Sequence, residues 1–318
     1  MAFETGIADN ERDLLARLNT FLTTNPSLVA SGQNWRQIHS ATVAGSATTV
    51  EQNFICWTAP GAGGADEIYV AALTANSITS DIYNITFAGG TYYEAGAASG
   101  DDWLAGLRNK SPTVTLFADN RQIKYWLIAD GRRFILTVAI GNIYSTAYAG
   151  FVLPAVPPDE YPYPLAIGGS ADGTLRRYST TTDQHSSIVD PRAMNLWLMY
   201  PSQSWQDFYG YAADKGATAG ASGRYVTPCG NNRFNSYTWP MLSGMNASPG
   251  GAYPLYPTEL RAVESTAANL WGVLDGVWWL PGMARAAEDT VTIEDRHFII
   301  FPGGHRTGPT DYFAVELR

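Results

Sequence analysis

A chain of 318 residues with 45% hydrophobic content can bury a core large enough for two or three domains, and is far too apolar to stay disordered. Its net charge of -9 and its three lysines, Lys110, Lys124 and Lys215, exclude an electrostatic grip on nucleic acid, which needs clustered cations. Charged residues make up only 15%, against the roughly 25% usual for soluble domains, while Tyr (18) and Trp (10) are plentiful, a composition that matches surfaces covered by other proteins.

The first segment, Met-Ala-Phe-Glu-Thr-Gly, has neither a basic region nor an apolar run, so no secretory signal is expected and assembly in the cytoplasm of the producing cell is. No run reaches the roughly 20 apolar residues of a membrane helix. Between Asn10 and Leu22, Leu14, Leu15, Leu18, Phe21 and Leu22 recur at helical spacing. With Asp9 or Asn10 as cap, acids in the first turn and Pro26 as stop, they predict a short amphipathic helix. It either packs on the chain's own sheet or docks on a neighbouring subunit.

Strands follow in quick succession, and one strand-loop-strand pattern is written three times: 54–57 with 67–73, 134–140 with 148–153, and 298–301 with 312–317. Each copy is a run of aromatic and β-branched residues bounded by Gly, Pro and Asp, which pack on a pleated surface and supply turns. Asp130-Gly131 adds a strong hairpin signal after the run 123–129. The fold class read from these signals is mainly β, antiparallel and sandwich-like, with one N-terminal amphipathic helix. The proline-rich stretch 153–164 reads as a stiff connector or an ordered strap. It sets the expected division between an N-terminal helix plus antiparallel β domain (1–157) and a second β-rich domain (158–318) with long Gly/Asn/Tyr-rich loops. In the second half, 195–200 and 269–274 read as strands, 216–223 and 245–256 as long loops, and 264–277 is ambiguous because of its alanines.

Reaction centres are hard to assemble from this sequence. Ser170 follows an apolar run but lacks the Gly-x-Ser-x-Gly elbow, and no phosphate loop follows its glycines. His39, His185, His297 and His305 have no metal-site spacing, and Cys56 and Cys229 read as a buried thiol and a distant cysteine whose pairing sequence leaves open. Asp101-Asp102 and Asp159-Glu160 are adjacent pairs whose side chains diverge on a strand, so neither forms a glycosidase dyad. Catalytic, cofactor and metal residues are therefore expected to be none. The candidate interface or glycan contacts are the aromatics Trp197, Tyr200, Trp205, Tyr209 and Tyr211, joined by His305 and Arg306 in the last Gly/Pro loop.

Several phrases together resemble a family of tailed-bacteriophage tail proteins. They are Leu14-Leu15-Ala16-Arg17-Leu18-Asn19-Thr20-Phe21-Leu22 with Gly32-Gln33-Asn34-Trp35, Ala65-Asp66-Glu67-Ile68-Tyr69-Val70, Gly150-Phe151-Val152-Leu153-Pro154 running to Glu160-Tyr161-Pro162-Tyr163-Pro164-Leu165, and Asp311-Tyr312-Phe313-Ala314-Val315-Glu316-Leu317. The resemblance implies a virion structural component of the tail tip or baseplate, homo-oligomeric and bound to other tail proteins, with no catalytic residues to carry over. A carbohydrate-binding receptor-recognition protein or a polysaccharide depolymerase is the alternative, the latter requiring carboxylates brought together from distant strands.

Overall fold

The structure is a computed structural model that describes residues 1–63, 67–95, 103–179, 188–190, 194–208, 223–228, 255–264, 267–282, 284–304 and 311–317. In chain order the elements are β1 (Ala2–Ala8), α1 (Glu11–Thr24), α2 (Pro26–Ala30), β2 (Arg36–Val43), β3 (Gln52–Ala59), β4 (Ile68–Ser77), β5 (Ile82–Gly90), β6 (Tyr92–Tyr93), β7 (Leu107–Arg108) and β8 (Val114–Phe117). There follow β9 (Ile123–Ala129), β10 (Arg133–Ile140), β11 (Ile143–Phe151), β12 (Leu153–Pro154), β13 (Leu165–Gly168), β14 (Ala171–Asp172), β15 (Leu196–Met199) and β16 (Trp205–Asp207). The last are β17 (Gly223–Thr227), β18 (Tyr256–Glu264), β19 (Ala267–Leu280), β20 (Thr290–Ile293), β21 (Arg296–Pro302) and β22 (Tyr312–Glu316).

Among the described residues three large antiparallel sheets are stacked, with a two-stranded one, β6–β7, beside them. The central sheet runs β1-β9-β10-β11-β13-β15-β16. On one side lies an N-terminal sheet, β14-β8-β5-β4-β3-β2; on the other lies a C-terminal sheet, β17-β18-β19-β22-β21-β20. The mainly β, antiparallel, sandwich-like architecture with a short N-terminal helix is thus present. Each copy of the threefold pattern is a hairpin, and each occupies a different layer: β3–β4 the N-terminal sheet, β10–β11 the central one, β21–β22 the C-terminal one.

The central sheet is buried on both faces, which explains its continuous apolar runs. Along β9, Tyr125, Leu127 and Ala129 join the core shared with the N-terminal sheet, while Trp126 and Ile128 join the core shared with the C-terminal sheet, as the period of two requires. Phe134 stands at the middle of the first core, within 5.3 Å of Trp35 and 5.7 Å of Phe87, ring centroid to centroid. Helix α1 enters the same core through Leu14, Leu15, Leu18, Phe21 and Leu22, touching β1 and β9 on one side and β2 to β5 on the other. It packs on its own sheets. Asn10 caps it, its side chain accepting from the amides of Arg12 and Asp13 at 3.0 Å, and Pro26 both ends it and opens α2.

The proline-rich stretch is an ordered strap that touches all three layers. Leu153 and Pro154 form β12 against β19 of the C-terminal sheet, Tyr161 packs edge-on to Trp271 at 5.8 Å, and the Tyr163 hydroxyl donates to the Gly90 carbonyl of β5 at 2.8 Å. The expected division after residue 157 falls inside this strap, and the chain on its two sides supplies β11 and β13, neighbours in the central sheet. The described residues of the ambiguous stretch 264–277 lie on β18 and β19, where strand pairing with β18 and β22 overrides the helical tolerance of its alanines.

Charge is also buried between layers. Arg133, at the start of β10, is only 2% exposed and lies 3.7 Å from Asp130 and 3.6 Å from Asp275 of β19. Gly276 makes room for it: with φ +75° and an added Cβ 2.4 Å from the guanidinium, no larger residue fits without strain. Burial raises the Asp275 carboxyl above its ordinary value, with Arg133 pulling it back.

Candidate functional site: an edge-strand cleft

The alternation Phe3, Thr5, Ile7 makes β1 a strand, and its pairing with β9 leaves it at the border of the central sheet. Ala2 and Ala8 are buried, whereas Phe3 and Ile7 are 39% and 55% exposed, large apolar side chains left in water. Register with β9 sets Phe3 beside Ile128, Thr5 beside Trp126 and Ile7 beside Lys124, so the three share the face that looks toward the C-terminal sheet. That sheet ends in the short strand β20, whose burial pattern is largely exposed.

Between these borders lies a cleft of about 530 Å³ lined by Met1, Phe3, Thr290, Thr292, Phe298 and Leu317, with His297 the one ionisable side chain among the described lining residues. Its volume falls in the range of binding pockets, and its walls are methyls, rings and hydroxyls. His297 stands 3.1 Å from the Thr292 hydroxyl. Polar contacts also join the central layer to the C-terminal segment: Lys124 pairs with Glu288 and lies 4.9 Å from the Trp126 ring centroid, and the Tyr144 hydroxyl donates to Glu288 at 3.0 Å. Burial, helped by the Glu288 carboxylate, pushes the Tyr144 hydroxyl up to about 12.

The aromatic candidates are placed differently from an open stacking platform. Trp197 is partly buried against the first core and donates its indole N–H to the Met194 carbonyl at 2.7 Å. Trp205, also partly buried, donates to the Asn109 carbonyl at 2.9 Å. Tyr200 stacks on Trp271 with centroids 4.4 Å apart, against the second core. The fold thus brings Trp197 and Trp205 to one core and Tyr200 to the other. Tyr209, Tyr211, His305 and Arg306 lie outside the described residues, as do His185, Cys229, the pair Asp101-Asp102 and most of the expected loops 216–223 and 245–256.

The remaining chemical candidates serve the fold. The Ser170 hydroxyl is buried, accepting from the Ser145 hydroxyl at 2.8 Å and the Thr146 amide at 3.2 Å. Cys56 is a buried free thiol that desolvation holds in its protonated form. His39 packs between Phe54 and Tyr93, and Asp159 and Glu160 are exposed on the strap. A second hollow of about 250 Å³ contains Arg121, Arg176 and Arg177, facing Asp119, Asp172 and Asp81 respectively. Among the described residues no three His, Cys, Asp or Glu side chains converge as metal ligands would, and no helix is long and apolar enough to cross a membrane.

The edge strand itself escapes a motif search, although its period-two signal, Phe3, Thr5, Ile7, is present in the sequence and adjoins the helix cap. No protein-family model matches this chain, and comparison with the curated proteins finds no significant match.

Proposed function

We propose that the protein is a structural component of a bacteriophage tail tip or baseplate, held in place by contacts with other tail proteins and with further copies of itself. The observation that carries this reading is the nearly charge-free cleft bordered by β1, which leaves Phe3 and Ile7 in water on an open sheet edge. Large apolar side chains beside unpaired backbone groups are what a protein partner covers. The low charge content and the sequence resemblance to tail proteins support the same reading.

Location within the virion is the corresponding expectation, with host attachment a finer role of the same assembly. A glycan-binding surface draws less support, because the rings of Trp197, Tyr200 and Trp205 are engaged by their own cores. The test is to mix the purified chain with tail-assembly proteins and follow co-sedimentation, then to locate it in the particle by cryo-electron microscopy. Failure to join tail proteins, together with reducing-end release from host polysaccharide, would replace this reading by a depolymerase.

A further inference from the structure

We infer that β1 pairs with β1 of a second copy of this chain, antiparallel and centred on Thr5. This deepens the assembly reading above and rests on it.

The six borders of the three large sheets differ in how they are guarded. β14, β16 and β20 are two, three and four residues long, too short to template much pairing. β17 carries Arg224, whose guanidinium is held by Asp207. β2 is eight residues long but has an irregular register between Gln37 and His39 and opens with a cation, Arg36, two devices that discourage added strands. β1 has neither device. Its seven residues pair with β9 without a break, carry no lysine, arginine or proline, and point Phe3, Thr5 and Ile7 outward. Among the described residues, no backbone hydrogen bond other than those of the β1–β9 pairing involves residues 2–8.

The occupant is written in the strand itself. About Thr5, Ala-Phe-Glu-Thr-Gly-Ile-Ala is symmetric at its alanine ends and at its two large apolar positions, with Glu4 and Gly6 the one unlike pair. Laid antiparallel on a second copy about Thr5, Phe3 meets Ile7 of that copy, Ala2 meets Ala8, and Glu4 meets Gly6. Aromatic against β-branched is a favourable cross-strand pair, and like charges directly opposite are an unfavourable one; here the single charged residue faces a glycine. Any other antiparallel register that brings Glu4 opposite Glu4 loses this match. The arrangement is isologous and closes as a twofold dimer, joining two central sheets into one.

The experiment is sedimentation equilibrium of the full chain across a wide concentration range, run beside Thr5→Lys, Thr5→Val and Thr5→Cys. Thr5 is exposed and its hydroxyl donates to the Tyr125 carbonyl at 2.8 Å, so Thr5→Val controls for loss of that bond. The expected result is a dimer for the parent and Thr5→Val, and a dimer dissociation constant raised about tenfold or more for Thr5→Lys, which sets two ammonium groups across the twofold axis. Mild oxidation of Thr5→Cys then yields a disulfide-linked dimer that the parent does not form. An oligomer that Thr5→Lys leaves intact, or a parent that joins tail proteins while staying monomeric, overturns β1 self-pairing and leaves the assembly reading standing. A parent that neither self-associates nor joins tail proteins removes both.

Discussion

The two contacts made by the central sheet are built on different physics. Toward the N-terminal sheet the interface is apolar and aromatic, with Trp35, Trp57, Phe87 and Phe134 buried and α1 filling the space at one end. Toward the C-terminal sheet, apolar packing is joined by ionic groups: Arg133 between Asp130 and Asp275, and Lys124 on Glu288. The first contact depends on shape. The second depends also on charge balance, and so responds to pH and to single-group deletions that leave a partner stranded.

The sharpest way to break the first contact is Phe134→Ala. Removing a fully buried ring that touches three others is expected to cost about 4 kcal/mol in urea unfolding. On the second, Arg133→Ala strands two carboxylates and is expected to cost about 3 kcal/mol, part of it recovered when Asp275→Asn is added. Additive losses in that double mutant would show that the layers are not coupled through this ion pair. Gly276→Ala disturbs the same place by backbone strain and by crowding the guanidinium, for about 2 kcal/mol by the same measurement.

pH sharpens the comparison further. Asp275 and, at the start of α1, the 1%-exposed Glu11 both have carboxyls raised by burial, Arg12 at 4.0 Å pulling Glu11 partly back. A raised carboxyl binds its proton more tightly when folded. Its contribution to stability is therefore present below the ordinary carboxylate range and is lost as pH rises through the folded value. Glu11→Gln is expected to stabilise the protein on the order of 1 kcal/mol at neutral pH, the gain shrinking toward pH 4.5, the group's ordinary value. A gain that does not change with pH would assign the effect to packing. The smallest effect belongs to Asn10→Ala, about 1 kcal/mol or less, through loss of the α1 cap.

Much of this fold was legible locally. The apolar spacing of Leu14, Leu15, Leu18 and Phe21 marked the helix within two residues of its end, and the three strand-loop-strand copies marked three hairpins, because both signals lie within a few residues of chain. What layer each hairpin joins was not legible. The runs around Phe134 and Tyr125 are apolar on both faces, so they carry no sign of which face meets which sheet, and the pairings β1–β9, β8–β14 and β19–β22 span stretches that no local pattern connects. The candidate site was harder still. Trp197 and Trp205 look alike in sequence whether they face solvent or a core, and Arg133 finds Asp275 only through the stacking of β10 on β19. The outward alternation of Phe3, Thr5 and Ile7 was present but short, seven residues beside a much stronger helix signal.

The proline strap gives the molecule the character of a stitched laminate. Its thread leaves the middle ply at Phe151, takes one short stitch through β19, and comes back up at Leu165. Delamination by force must therefore pull that stitch out before the plies can part, whereas a protease that cuts the exposed bend at Asp159 and Glu160 would divide the thread, leaving β12 sewn to β19 on one half and Tyr161 and Tyr163 anchored on the other.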